Sequence, residues 1–253
     1  MVWKSGMIGC WVLMFVWTGF AEAEDNKVST GDLKTDEMMV KVQEQLKEIQ
    51  SCSATLSTVF KMMGEVVEDD VDAVYQLPDR ICLSSVVEGK PVPIMVVEGG
   101  VLWIYDPVEQ LVTRFNRVRI FRETKKEVDA YVPDPLRPFR GLQWKTIRHV
   151  GEEKQGETIF QIFEATPEAN LLSVQLPVTP AKVKLWFHAQ NGLLHVVKMF
   201  DQAGNEIVVR RFDRVQLNPK VNARLFEFVI PAGVQVIDAT DDTVDLLKQT
   251  DGH

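Results

Sequence analysis

Ser51-Cys52-Ser53-Ala54-Thr55-Leu56-Ser57-Thr58-Val59-Phe60-Lys61-Met62-Met63-Gly64 is the stretch on which the fold turns. After Cys52 its periodicity is two: Ala54, Leu56, Thr58, Phe60 and Met62 alternate with Thr55, Ser57, Val59 and Lys61. That is the period of a strand with one buried face, and Gly64 offers a turn. Runs at 66–76, 81–87, 93–98 and 101–106 are equally rich in β-branched and aromatic residues. Turn formers part them: Leu77-Pro78-Asp79, Glu88-Gly89-Lys90-Pro91 and Gly99-Gly100. Short strands at this spacing, with no helical period between them, predict an antiparallel meander.

Upstream the period changes. Between 35 and 50, Met38, Met39, Val42, Leu46 and Ile49 recur at helical steps among charged residues, which predicts an amphipathic helix. Thr35 or Asp32 suits its N-cap, and Asp36-Glu37 suit the positive end of its dipole. Its Met-bearing stripe reads either as a face packed on a sheet or as an adaptable lid over an apolar cavity. Downstream, 118–122 reads as a strand, 125–131 as a short helix, and the three-proline stretch 132–141 as a loop. Strands resume at 144–150, 158–165, 181–189, 194–201, 206–217 and 225–230. Asn191-Gly192 is the strongest hairpin signal in the chain. No linker composition interrupts the series, so one mainly β domain with short helices (α+β), of about eleven strands, is expected. In one run Val183, Leu185 and Phe187 form an apolar face while Trp186 shares the other with Lys182, Lys184 and His188.

The N-terminal segment carries Lys4, an uncharged run from Met7 to Phe20, and Ala21-Glu22-Ala23. This is the pattern of a secretory signal peptide cleaved after Ala23; a transmembrane anchor needs ~20 apolar residues. Met7-Ile8-Gly9-Cys10 imitates a lipobox, but the apolar run continues past Cys10 instead of ending there. The expected organisation is residues 1–23 as leader, 24–33 as a flexible segment, 34–240 as the folded domain and 241–253 as a flexible tail.

Cleavage removes one Lys, one Glu and Cys10, so the charge stays at −8 and two cysteines remain. A net negative chain lacks the basic field that grips nucleic acid, which is not an expected partner. In an oxidising compartment Cys52 and Cys82 form a possible disulfide, or else two separately buried thiols; spacing alone leaves both readings open. His149, His188 and His195 each stand alone in a strand run. The sequence holds no H-x-x-x-H, C-x-x-C, G-x-S-x-G, P-loop or G-x-G-x-x-G. No catalytic residue, metal ligand or cofactor is expected, and the chain does not read as an enzyme. Glu68-Asp69-Asp70 with Asp72 reads as a solvated edge rather than a calcium loop. Arg210-Arg211 with Arg214 reads as surface salt bridging. Arg114, Arg117, Arg119 and Arg122 read as a patch for anionic lipid or as basic side chains snorkelling over an apolar rim.

Two further stretches carry a resemblance. Val97-Glu98-Gly99-Gly100-Val101-Leu102-Trp103-Ile104-Tyr105-Asp106-Pro107-Val108-Glu109-Gln110 resembles the strand-turn-strand of the periplasmic outer-membrane lipoprotein carrier family, LolA. Arg224-Leu225-Phe226-Glu227-Phe228-Val229-Ile230-Pro231-Ala232-Gly233-Val234-Gln235-Val236-Ile237 resembles that family's closing motif. Element order over about 35–238 agrees with it. The resemblance implies an unclosed antiparallel β-barrel of about eleven strands with helices across its concave face. It also implies a periplasmic monomer that holds the acyl chains of a lipoprotein cargo in an apolar cavity. Such a carrier takes its cargo from an inner-membrane lipoprotein-releasing transporter and yields it to an outer-membrane acceptor. Exposing acyl chains to water costs ~0.8 kcal/mol per CH₂, which is why a carrier needs a covered pocket.

One position departs from the family. There the strand after the first hairpin ends in Arg-Pro, and that arginine bonds to the lid and tunes release. Here Leu77 precedes Pro78, and the nearest arginine is Arg80. A sensor of lipid or lipoprotein with the same shape, and a structural secreted β protein with a filled core, are the other two readings. The expected acyl-cavity lining, as a group, is Leu56, Phe60, Trp103, Tyr105, Phe115, Phe139, Leu185 and Phe187; taken singly, each reads first as plain core.

Overall fold

The computed structural model describes residues 29–62, 65–130, 132–168 and 179–249. The expected leader lies outside them. Helix α1 (Leu33–Leu46) precedes β1 (Ser51–Met62) and β2 (Glu65–Gln76), which pair along their whole length. The meander continues through β3 (Arg80–Val87), β4 (Lys90–Glu98), β5 (Val101–Asp106) and β6 (Leu111–Asn116). Helix α2 (Arg117–Thr124) leads into a long loop. After it come β7 (Arg148–Gln155), β8 (Thr158–Ala165), β9 (Lys182–His188), β10 (Leu194–Phe200) and β11 (Glu206–Leu217). The last described elements are β12 (Gln235–Asp238) and α3 (Thr240–Gln249).

These strands form a single sheet in the order β12-β6-β5-β4-β3-β2-β1-β11-β10-β9-β8-β7. β11 returns to β1, so two meanders share one seam. The order does not close, which gives the mainly β, unclosed architecture. β12 is the extra strand beyond the expected eleven, and it runs parallel to β6 where an all-antiparallel sheet was expected.

One face of the sheet, here the inner face, holds the main apolar cluster. Cys52, Ala54 and Leu56 of β1, Ile81 and Leu83 of β3, Met95 and Val97 of β4, and Leu185 and Phe187 of β9 all belong to it. Met39, Val42, Leu46 and Ile49, the stripe predicted for α1, close over it. Asp32 caps the helix, accepting from Lys34 N and from the Thr35 hydroxyl. Two contacts fix its seat. The Thr35 hydroxyl accepts from His149 N at 2.8 Å, and Gln45 Nε2 donates to the Ala189 and Gln190 carbonyls. The second contact requires Gly192: its φ is +69°, and a Cβ there would meet the Val42 carbonyl at 2.9 Å.

The outer face carries two smaller clusters. Phe160, Trp186, Val196 and Val209 form one; Cys82, Val96 and Phe226 form the other. Trp186, which broke the expected alternation, therefore anchors an outer patch, with its indole N–H donating to Glu153.

Several local expectations change. Residues 118–122 belong to α2 rather than a strand, because Asn116 caps it by accepting from Arg119 N. Of the helix expected at 125–131, the described residues 125–130 are irregular and end in a turn at 128–130; residue 131 lies outside the described residues. At 225–230 there is a 3-10 turn, Ala223–Phe226, followed by extended chain that presses Phe226 and Phe228 on the outer face, so it pairs with no described strand. The segment 24–33, expected to be flexible, is tied down from Ser29 onward by Asp36, which accepts from Ser29 Oγ and Thr30 N. The tail expected from 241 is helical as far as Gln249, with Val244 and Leu247 buried against the inner cluster. No described helix is long and apolar enough to cross a membrane.

Candidate functional site

Six of the eight residues expected to line a cavity meet on the inner face. Leu56, Phe115, Phe139, Leu185 and Phe187 are buried in the main cluster, and Phe60 packs at its margin. Phe139 comes down from the loop onto Phe163 and Phe187, with both ring separations at 5.3 Å. Trp103 and Tyr105 do not join them. Leu102 and Ile104 take the inner positions of β5, so period two turns Trp103 and Tyr105 outward, and Trp103 stacks on Phe228 at 5.5 Å. Strand parity, and not side-chain size, sets which face of β5 each residue takes.

Between the loop and the sheet lies a cavity of about 50 Å³. Ala130, Asp134, Arg137 and Pro138 roof it, and Val183, Leu185, Leu194, Val197 and Met199 of β9 and β10 floor it. Ligand pockets run from ~300 Å³ upward, so this hollow admits a chain-like ligand only if its roof moves.

The roof is fastened by charge. Asp79, in the β2–β3 turn, accepts both terminal nitrogens of Arg117, at 2.5 and 3.1 Å, and pairs with Arg137 of the loop at 3.2 Å. Arg117 also donates Nε to Asp129 at 3.1 Å, Asp129 pairs with Arg140 at 2.5 Å, and Arg140 meets Glu127. Arg137 turns its Nε to Asp134 at 2.8 Å. Sheet rim, α2 and loop are thus joined by one ladder whose centre, Asp129, is wholly buried. Burial opposes ionisation of Asp129, but Arg140 and Arg117 outweigh it and hold the carboxyl below the usual range. Arg80 takes no part: it pairs with Glu98 at 3.3 Å and lies over the Phe226 ring. The end of β2 is instead tied to α2 and to the loop through an acid at 79 and arginines from the other side. Asp79 carried no signal in the sequence beyond its turn position. Of the arginine patch read as a lipid or rim surface, Arg117 is spent on this ladder, while Arg114 pairs with Asp238, and Arg119 with Glu123 and Asp241.

Two more polar residues face inward. Arg210, read as a surface residue, is 7% exposed and sits in register between Thr58 and Val197 on the inner side. Tyr75 is 1% exposed, with its ring edge-on to Phe212 at 6.2 Å.

Cys52 and Cys82 are free thiols, which corrects the possible disulfide. Cys52 belongs to the inner cluster and Cys82 to an outer one, so the sheet itself separates them. Burial pushes the Cys52 thiol up to about 12 and raises Cys82 as well, the opposite of an activated nucleophile. His188 and His195, isolated in sequence, bring their rings to 5.0 Å on the outer face beside Phe160. Among the described residues no group of three His, Cys, Asp or Glu is placed to hold a metal ion.

No protein-family model matches the chain. In sequence it is similar to proteins named outer-membrane lipoprotein carrier protein. It is 25% identical over 201 residues to that of Legionella pneumophila strain Paris, covering 78% of this chain and 87% of the relative. It is 29% identical over 150 residues to that of Dechloromonas aromatica strain RCB, covering 58% and 62%. Among solved structures, an uncharacterized conserved protein from Thermus thermophilus shares the fold. The TM-score is 0.52 at 10% identity, covering 81% of this chain and 99% of that one.

Proposed function

We propose that this chain, LolA-like in sequence and fold, is a periplasmic carrier that holds the acyl chains of lipoproteins between its inner face and a movable lid. In this reading it takes them from an inner-membrane transporter and yields them at the outer membrane. The observation that carries the reading is the lidded hollow. An apolar inner face is covered by a loop whose own apolar side chains, Leu136 and Phe139, occupy the place an acyl chain would take, while charges fasten the loop at its edge. Exchanging loop side chains for acyl methylenes trades one apolar contact for another, so entry costs little beyond breaking the ladder. The names of the sequence relatives favour the same cargo. The buried, protonated thiols favour binding over catalysis.

Displacement of a fluorescent fatty acid tests the binding step: saturable uptake by the leaderless chain is expected, and none would exclude lipid altogether. Native purification from cells, followed by identification of the co-purifying acylated protein, tests the cargo. Recovery of free lipid alone would remove the lipoprotein and leave a lipid-binding protein.

A further inference from the structure

The charge ladder leaves one donor over. Arg140 commits Nε to Glu127 and holds Nη2 2.5 Å from Asp129, while Nη1 has no hydrogen-bond partner among the described residues. The side chain is 7% exposed, so bulk water does not serve that nitrogen, and a buried charged donor without an acceptor is costly. Arg140 also lines the hollow beneath the loop. Asp129 Oδ2 lacks a partner too, but Asp129 does not line the hollow, so what the hollow offers a ligand is a donor. The rest of the polar wall is committed: Asp134 accepts from Leu136 N and Arg137 Nε, and Arg137 turns to Asp79. Pro133, Pro138, Pro167 and Pro180 line the same space and bring no main-chain N–H.

Volume and charge narrow the ligand. At about 50 Å³ the hollow has room for a small polar group but not for a chain. The ladder sets four carboxylates against three arginines, and Glu168 brings a further carboxylate to the wall. No positive charge is left over to hold an anion, whereas a neutral acceptor meets Nη1 without adding to the negative excess.

We propose that Nη1 of Arg140 anchors the neutral carbonyl of an esterified acyl chain in this hollow, with the alkyl tail lying along the apolar β9–β10 floor. This rests on the acyl-binding reading and deepens it, because it selects the ester over the free fatty acid. The guanidinium is a rigid fork: Glu127 and Asp129 fix two of its nitrogens and so aim the third. The carbonyl gives that nitrogen its acceptor. Bound cargo and shut loop therefore reinforce each other through one side chain.

The test uses the leaderless chain, the uncharged dye N-phenyl-1-naphthylamine, and three competitors of matched length: methyl decanoate, methyl decyl ether and decanoate. The ester should displace dye at about tenfold lower concentration than the ether, which lacks the carbonyl, the lower end of what a hydrogen bond to a charged donor is worth. It should also outcompete decanoate, which brings a charge. Arg140→Lys keeps the charge beside Asp129 but removes the fork, and should bring ester and ether to equal potency. Glu127→Gln loosens the ladder without removing Nη1, and should shift both compounds while keeping their ratio. A purely structural role would move ester and ether together in both variants, so an unchanged ratio in Arg140→Lys overturns the anchor. Equal potency of ester and ether in the wild type overturns it as well, and so does decanoate competing as well as the ester. If Arg140→Lys does not fold, the infrared carbonyl band of isotope-labelled methyl decanoate on the wild type decides. A band lowered from its position in alkane supports the hydrogen bond, and an unshifted band overturns it. If no competitor displaces dye, acyl binding itself fails and the anchor with it, an outcome distinct from displacement without ester preference.

Discussion

Helix α1 and the loop from Glu127 to Gly141 both cover the inner face, and they are held there by different means. The helix commits Met39, Val42 and Leu46 to the core, the turn after it adds Ile49, and its other attachments are uncharged hydrogen bonds from Gln45 and to Thr35. The loop also buries apolar groups, Val128, Val132, Leu136 and Phe139, but adds Asp129 and Arg140 at the centre of a charge ladder. Apolar contact is non-directional and exchangeable: any greasy chain can replace it. A buried ion pair is directional, and it closes only when all its members are in register. The helix is therefore a fixed roof. In the proposed carrier the loop is a door whose apolar underside an acyl chain would take over, and whose ladder would set the difference between shut and open.

The sharpest way to break this distinction is Asp129→Ala. It leaves Arg117 and Arg140 buried without their shared counter-charge, a change that costs about 3–5 kcal/mol. The loss should fall on the loop, with amides across 127–141 exchanging much faster while those of β1 and β11 keep their protection. Leu46→Ala should do the reverse. It leaves a cavity beneath α1 and lowers global stability by about 2–4 kcal/mol, read as a fall in the urea midpoint. If the two variants give the same exchange pattern, roof and door are one cooperative unit.

A smaller effect separates the rim from the buried centre. Asp79 is a third exposed and Arg117 an eighth. Asp79→Asn keeps a hydrogen-bonding side chain and removes the charge, which is worth about 1 kcal/mol at such a partly solvated pair. Dye uptake should quicken severalfold with the unfolding temperature nearly unchanged. Unaltered uptake would mean that the Asp79 rung does not hold the door.

How much of this could be read in advance follows from where each signal is stored. The stripe of α1 and the alternation of β1 are local periods, and both faces they predict are the faces that bury. The fold of 118–122 turned on a cap one side chain away, Asn116, which outweighed three β-branched or aromatic residues. Trp103 and Leu102 show the finer limit: parity within β5 decides the face, and residue size does not. The ladder was not legible at all. Asp79 stands 38 residues before Arg117 and is brought to it only by the intervening meander, while Arg117, Asp129 and Arg140 meet through the path of one irregular loop that has no period to read. Arg210 failed for a related reason, since its neighbours Arg211 and Asp213 point outward and lent it their character.

The smallest effect is one of pH, and it separates three regions at once. Burial, and for His188 the charge of His195, lower both imidazole pKa values. The folded state therefore prefers them neutral, and stability is lost as pH falls through the ordinary histidine value of ~6.5. That step belongs to the outer face and should leave door and roof shut. Asp129 behaves as a depressed carboxylate. Its contribution is complete above ~4 and is lost only as pH falls through its lower folded value, so the loop should hold through the histidine step and open in stronger acid. Asp32 and Asp36, both lowered by hydrogen bonds at the α1 cap, lose those bonds in the same acid window, but they lie at the helix start and fray only the first turn. Exchange measured at pH 7, 5.5 and 2.5 should thus show loosening near β9–β10 first, then protection lost across 127–141, with Val42 to Leu46 still protected when the loop has gone. Loop opening that coincides with the histidine step would transfer control of the door from the buried aspartate to the outer face.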